Sequence, residues 1–85
     1  MKFHLEPVNH DKISDLCGPT NSILKQIEEE LGIKILNRGA SFRIKGETSS
    51  AQIAKNIILR IYDDLEENKT ISSEEVHLYL RKGMN

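Results

Sequence analysis

The residues whose types and spacing best suit chemistry stand at a tight corner, Gly18-Pro19-Thr20-Asn21, directly before an amphipathic helix. Glycine admits backbone angles that other residues avoid, and proline is favoured in the first turn of a helix. Backbone N–H groups at a helix start attract phosphate. The corner therefore predicts a place where a phosphate can be held. These residue types also form ordinary turns, so a plain connection between two helices is the alternative.

The other reactive side chains suggest little further chemistry. Cys17 is the only cysteine, which excludes an internal disulfide and a cysteine-based zinc site. His4, His10 and His77 do not have the spacing of metal ligands. The remaining residues contain no recognisable nucleophile–base pattern or pair of catalytic carboxylates. We therefore expect no catalysis, no metal site and no cofactor in this chain.

Length, composition and charge are those of a small folded domain. The chain has 85 residues, of which 38% are hydrophobic and 29% are charged, so we expect one domain over 1–85. Its formal net charge of −1 argues against strong non-specific nucleic-acid binding but leaves room for a local basic rim. The sequence has no secretory leader or long apolar run, and its one cysteine fits a reducing compartment, so a cytoplasmic location and no membrane partner are expected.

Hydrophobic spacing predicts the elements that hold the corner in place. The predicted order begins with a strand at 2–6 and helices at about 9–17 and 20–31, followed by two strands joined by Asn37-Arg38-Gly39. A longer helix then covers about 50–67, and a last helix follows it. Capping boxes mark the starts of these two helices, at Ser49 and Gln52 for the first and at Ser72 and Glu75 for the second. Helices separated in this way from an antiparallel sheet indicate an α+β domain. The uncovered sheet face is expected to carry Lys34, Arg43 and Lys45, and the run Glu28–Glu30 is expected to be a solvated helix face.

Several spaced features together resemble a KH domain, a module with the order β-α-α-β-β-α and a Gly-x-x-Gly loop between its first two helices. The corner takes the loop position, and Gly32-Ile33-Lys34-Ile35 enters the next strand in the same register. The resemblance covers about residues 3–65 and implies a type I KH-like fold with a three-stranded antiparallel sheet covered by helices, here with an additional C-terminal helix. Asn21 stands where the family has its second glycine, and we expect the turn to form because Asn tolerates positive φ.

Over nearly its whole length the chain is similar to the N-terminal KH-like domain of PhoH-like proteins. The residues that carry this resemblance are Leu5-Glu6-Pro7, Leu16-Cys17-Gly18-Pro19, Leu31-Gly32, Asn37-Arg38-Gly39, Val76-His77-Leu78 and Leu80-Arg81. In that family the domain precedes a P-loop ATPase domain associated with RNA metabolism. This chain has no Gly-x-x-x-x-Gly-Lys-Ser/Thr motif. The resemblance therefore implies a non-enzymatic N-terminal fragment, with ATP and Mg²⁺ expected only in the missing ATPase domain.

The resemblance implies an accessory module that binds or positions single-stranded RNA beside its own C-terminal ATPase domain. The predicted nucleic-acid site combines the corner, an apolar groove floor and two nearby cations. Its residues are Gly18, Pro19, Thr20, Asn21, Lys25, Ile35 and Arg38. Because the variable pair Pro19-Thr20 lacks the basic residue common in KH loops, the grip on phosphate is expected to be weak. Arg38 is alternatively an exposed hairpin charge.

The last helix suggests a different function. Val76, Tyr79 and Leu80 form an apolar patch, which either packs on the domain's own core or contacts the ATPase domain or a second subunit in a homo-oligomer. The alternative function is therefore a protein–protein or interdomain interaction module that keeps the KH fold without binding nucleic acid. The net charge, Asn21 and the acidic run Glu28–Glu30 favour this alternative.

Overall fold

The described residues of the chain, 1–18, 21–65 and 71–84 of a computed structural model, form helices on one side of an antiparallel sheet. The elements in chain order are β1 (Lys2–His4), α1 (His10–Cys17), α2 (Ser22–Leu31), β2 (Lys34–Arg38), β3 (Ser41–Lys45), α3 (Thr48–Asp64) and α4 (Ser73–Met84). The predicted α+β class is confirmed, with the order β-α-α-β-β-α followed by one added helix.

The sheet has the strand order β1-β3-β2, so β3 is central and β2 is an edge strand. Phe3 lies opposite Phe42 with the two rings stacked 5.4 Å apart, and Ile35 lies opposite Ile44. All four side chains are buried, because alternate residues of each strand point toward the helices. The first strand ends at His4 rather than at the predicted residue 6.

The helices complete one core beneath the sheet. The buried stripe of α3 supplies Ala51, Ala54, Ile57, Ile58, Ile61 and Tyr62. The last helix, α4, packs on α2 and α3 through Val76 and Leu80, so it belongs to the core of this domain. Helices α3 and α4 approach closely at Gly83, where a Cβ atom would stand 3.0 Å from the side chain of Ile57.

Three of the predicted helix ends are confirmed by their hydrogen bonds. The side chain of Asn9 caps α1 by accepting from the Lys12 N–H at 3.1 Å. Gly32 ends α2 in the left-handed conformation that glycine adopts at little cost. The Ser72 hydroxyl caps α4 by accepting from the Glu75 N–H at 3.3 Å.

The predicted start of α3 is wrong. The helix begins at Thr48, so the predicted capping pair, Ser49 and Gln52, lies inside it, and Glu47 stands at the N-cap without a side-chain hydrogen bond. The chain is able to enter the helix early because Gly46, with φ of 148°, makes the turn out of β3. The helix ends at Asp64, and residues 66 and 67 of the prediction lie outside the described residues.

Candidate nucleic-acid interface

The corner between α1 and α2 is built from two residues with positive φ. Gly18 has φ of 64° and Asn21 has φ of 54° and ψ of 30°, which is the left-handed region. The expectation that Asn can stand in for the second glycine of the loop is therefore confirmed for the backbone. The Asn21 carbonyl accepts from the Lys25 N–H at 2.9 Å and so opens α2. The predicted site residues Pro19 and Thr20 lie outside the described residues.

The outer edge of β2 lies on the same side of the domain as the corner. The Ile44 N–H donates to the Met1 carbonyl at 2.8 Å, so Ile44 and its partner Ile35 do not exchange hydrogen bonds. Because the ladder alternates, the backbone groups of Ile35 and Asn37 point out of the sheet. The Asn37 side chain donates to the Cys17 sulfur at 3.4 Å and joins β2 to the end of α1. We call the space bounded by the corner, α2 and this strand edge the edge groove.

An acidic side chain occupies part of the edge groove. The carboxylate of Glu28 on α2 accepts from the outward Ile35 N–H at 2.8 Å. The expectation of a solvated face for Glu28–Glu30 is wrong for Glu28, which is half-buried, whereas the next two residues are exposed. The sequence contains a signal for this position, because Glu28 comes four residues after Leu24 and three before Leu31 and so borders the buried stripe of the helix.

The predicted site residues are distributed over both sides of the sheet. Lys25 is exposed in the first turn of α2, beside the corner. Ile35 has its side chain in the core and turns only its backbone to the edge groove. Arg38 shares its sheet face with Lys34 and Leu36, away from the helices, and is not brought together with the corner. From the sequence, Glu28 was expected on a solvated helix face and Asn37 in a hairpin turn, and neither was expected in a binding groove.

The thiol of Cys17 forms part of the wall of the edge groove. Burial raises the pKa of this thiol, and the hydrogen bond from Asn37 opposes that rise. Since the thiolate is the reactive form, a raised pKa lowers the reactivity expected of this thiol at neutral pH. Its half-buried position makes it a chemical reporter of whether the groove is occupied.

The residues predicted to contact another domain lie mainly inside this one. Val76 and Leu80 are buried in the domain's own core, and Tyr79 is half-buried with its hydroxyl donating to Asp64 at 2.7 Å. Burial, and then the Asp64 carboxylate, raise the pKa of Tyr79 to about 12. Among the side chains of this helix that the structure describes, Leu78 is the exposed large apolar one, at 56% exposure. An interdomain or subunit contact through α4 stays a prediction.

Residues 1–18, 21–65 and 71–84 contain neither a cluster of metal ligands nor a helix that could span a membrane. Among these residues no group of three or more His, Cys, Asp and Glu side chains is arranged to hold a metal ion. In the same part of the chain no helix combines the length and the apolar character needed to cross a membrane. The absence of a cofactor and of catalysis from this chain stays a prediction.

Comparison with known proteins finds no family model that matches the chain and no solved structure that matches it significantly. The resemblance to KH and PhoH-like domains therefore depends on the motif residues quoted above. The α+β architecture depends on the element order and the sheet topology.

Proposed function

We propose that this domain is an accessory module that binds a single strand of RNA weakly and positions it, as one part of a PhoH-like ATPase. The observation that carries the proposal is the edge groove itself. The positive-φ corner at Gly18 and Asn21 and the outward edge of β2 are joined through the contact between Asn37 and Cys17. KH modules clamp the backbone of a single strand with a loop of this kind.

The groove offers two kinds of contact to an RNA strand. Backbone groups at the corner and the Lys25 ammonium suit a phosphate, while the outward N–H and C=O of Asn37 suit the polar edge of a base. Stacking contributes little, because the whole chain has only four Phe and Tyr residues and Phe3 and Phe42 are buried. We therefore expect weak binding, raised by joint engagement with the ATPase domain and with sister subunits.

Amide NMR of the 85-residue chain, titrated with a short oligouridylate, tests the proposal. The expected result is a salt-sensitive shift of the Gly18, Asn21, Lys25 and Ile35 signals. The last helix, α4, provides the internal comparison, since it packs on α2 and α3 and contributes no residue to the groove or to the sheet. Shifts confined to β3, or no shifts at all, would overturn the groove as the RNA site.

Two substitutions at Asn21 sharpen this test without disturbing the turn. Asp and Gly both tolerate the left-handed conformation, so Asn21→Asp and Asn21→Gly should each leave the domain folded. Asn21→Asp places a negative charge at the phosphate position and should weaken RNA binding. Asn21→Gly matches the KH loop pattern and should strengthen it. Equal affinities for the two variants would contradict the proposal.

A second candidate, an interaction module without RNA binding, is favoured by Glu28. Its carboxylate already satisfies the Ile35 N–H, which also protects an edge strand from unwanted pairing. In this case RNA would leave the groove signals unchanged. The full-length protein would instead show altered signals around the exposed Leu78, relative to the isolated domain.

A further inference from the structure

The face of the sheet that the helices leave uncovered is positively charged. Its outward positions are Lys2, His4, Lys34, Leu36, Arg38, Ser41, Arg43 and Lys45. We call these eight residues the open face. Five of them are Lys or Arg, whereas the chain has thirteen acidic residues and none of those among the described residues lies in a strand. Although the net charge of the chain is −1, positive charge is therefore concentrated on the open face.

The strand register sets these cations close to one another. Lys34 lies directly opposite Lys45, and Arg43 lies between Lys2 on one side and Leu36 on the other. Directly opposed residues of antiparallel strands are about 4.5–5.5 Å apart, and like charges at that distance destabilise a sheet. The arrangement therefore does not serve the stability of the strands. Local rules are broken in this way mainly at functional sites.

The surface between these side chains is concave. A depression of about 560 Å³ lies over the sheet, and its lining includes Lys2, His4, Arg38 and Arg43. The His4 ring meets the Ser41 hydroxyl at 2.8 Å. The depression is open and lined by both polar and apolar atoms, and the cations in its lining suit a negatively charged chain lying across the strands.

We propose that the open face binds the phosphodiester backbone of RNA, as a site separate from the edge groove. A protein partner fits less well, because protein interfaces are depleted in lysine and need an apolar centre, and Leu36 is 41% exposed and stands alone among polar neighbours. A membrane surface also fits less well, because stable attachment combines cations with apolar side chains that enter the lipid. Phosphate contacts need only the cations.

The open face adjoins the edge groove along β2. Asn37 turns its side chain toward the groove and the next residue, Arg38, turns toward the open face, so both sites meet at the end of one strand. One RNA strand is able to pass from one site to the other around this end. The inference does not need the groove, because phosphate contacts on the open face are independent of the corner.

Fluorescence anisotropy of labelled oligouridylate with the 85-residue chain tests the inference. The double variant Lys34→Gln, Arg43→Gln is expected to bind about 25-fold more weakly at about 0.1 M salt, with a salt slope less steep by about 1.4, because each contact to a single strand contributes about 0.7. The matched control is Arg81→Gln, which removes an exposed cation from α4 and should leave affinity unchanged. Equal affinities for the double variant and the unaltered chain would overturn the inference.

Comparing the RNA affinity of the double variant with that of Asn21→Asp distinguishes the contributions of the open face and the edge groove. If the double variant loses affinity and Asn21→Asp does not, the open face binds RNA and the groove proposal fails. If only Asn21→Asp loses affinity, the groove stands and the present inference fails. Circular dichroism of each variant confirms folding, which exposed strand positions should preserve.

Three probes distinguish the possible sources of negative charge. Oligouridylate and a short RNA duplex share the phosphate backbone, and binding of either one, lost in the double variant, supports the inference. The stronger of the two identifies the form of RNA that the face prefers. Polyglutamate provides charge without phosphate. If polyglutamate binds as tightly as both RNA probes, the partner is an acidic protein segment and the inference is wrong.

Discussion

The edge groove and the open face lie on opposite sides of β2, and different features favour each of them as an RNA-binding site. The groove has the backbone geometry of a nucleic-acid loop, yet Glu28 reaches into it and bonds the outward Ile35 N–H. The open face has no recognisable motif, yet it gathers five cations with no acidic neighbour in the strands. A motif therefore locates a binding surface by its shape, whereas charge decides how strongly an anion is held there.

The two regions also differ in how they are supported. The helix that leads into the corner, α1, is attached to the core at its opposite end, where the Tyr62 hydroxyl donates to the Pro7 carbonyl at 2.5 Å and accepts from the Asn9 N–H at 2.9 Å. The open face depends only on the strands, whose opposite side is fully packed. Variants are therefore able to affect one region, the other or both.

The largest effect is expected from Gly46→Ala, which should harm both regions at once. A Cβ atom at Gly46 would stand 2.7 Å from Ile33 Cγ2, and φ of 148° is unfavourable for alanine. Overpacking and backbone strain together should lower the free energy of unfolding by about 3 kcal/mol, measured by urea denaturation. Gly39→Ala is the matched control, with φ of 58° and open space, and should lose about half as much. Equal losses would mean that the contact with Ile33 is not decisive.

Tyr62→Phe should weaken the attachment of the start of α1 and leave the residues of the open face in place. Removing this hydroxyl leaves the Pro7 carbonyl and the Asn9 N–H without their partner, at an expected cost of about 2 kcal/mol. Thermal unfolding measures the loss. The control, Tyr79→Phe, removes a more exposed hydrogen bond to Asp64 and should cost less than about 1 kcal/mol. A folded Tyr62→Phe domain should still bind RNA through the open face.

Glu28→Ala should convert the groove from an occupied site to an available one. Losing the bond to Ile35 costs about 1 kcal/mol of stability, while removal of one negative charge should raise the affinity for oligouridylate about five-fold at low salt. Glu28→Gln is the control, because its amide oxygen still accepts from the Ile35 N–H while the charge is gone. If neither variant changes RNA affinity, the groove is not the RNA site.

Lys34→Glu, on the open face, should raise the stability of the domain and lower its affinity for RNA. The new carboxylate lies opposite Lys45, so a like-charge pair becomes an opposite-charge pair, worth about 0.2–1 kcal/mol. We expect a higher melting temperature together with weaker RNA binding, each measured at low salt. Lys34→Gln should fall between the two proteins in both properties. A loss of stability in Lys34→Glu would show that the cations do not repel one another.

The smallest effect is expected at Cys17, the reporter of the groove. Burial raises the pKa of the thiol above its ordinary value of 9.0, so iodoacetamide labelling should quicken as the pH rises and reach half of its limiting rate above pH 9.0. Asn37→Leu removes the hydrogen bond that lowers this pKa, so labelling at fixed pH should slow. Saturating oligouridylate should also slow labelling by occupying the groove, and at saturation the open-face double variant should not change that protection.

Much of the fold was predictable from local residue types. The amphipathic stripes, the cap at Asn9 and the glycine at the end of α2 are signals that act within one turn of helix. The start of α3 was not predictable in this way, since a capping pair at Ser49 and Gln52 had to compete with the turn made by Gly46. The packing of α4 depended on distant partners in α2 and α3, which no local pattern reveals.

The sequence by itself determined the elements, their order and the position of the corner, because backbone preferences and hydrophobic periodicity are properties of neighbouring residues. Only the tertiary structure decided the character of the two surfaces. Glu28 meets Ile35 across the gap between a helix and a strand, and Lys2 joins Arg43 and Arg38 on one face through strand pairing. Charge acts through space, so residues far apart in the chain jointly set what each surface is able to bind.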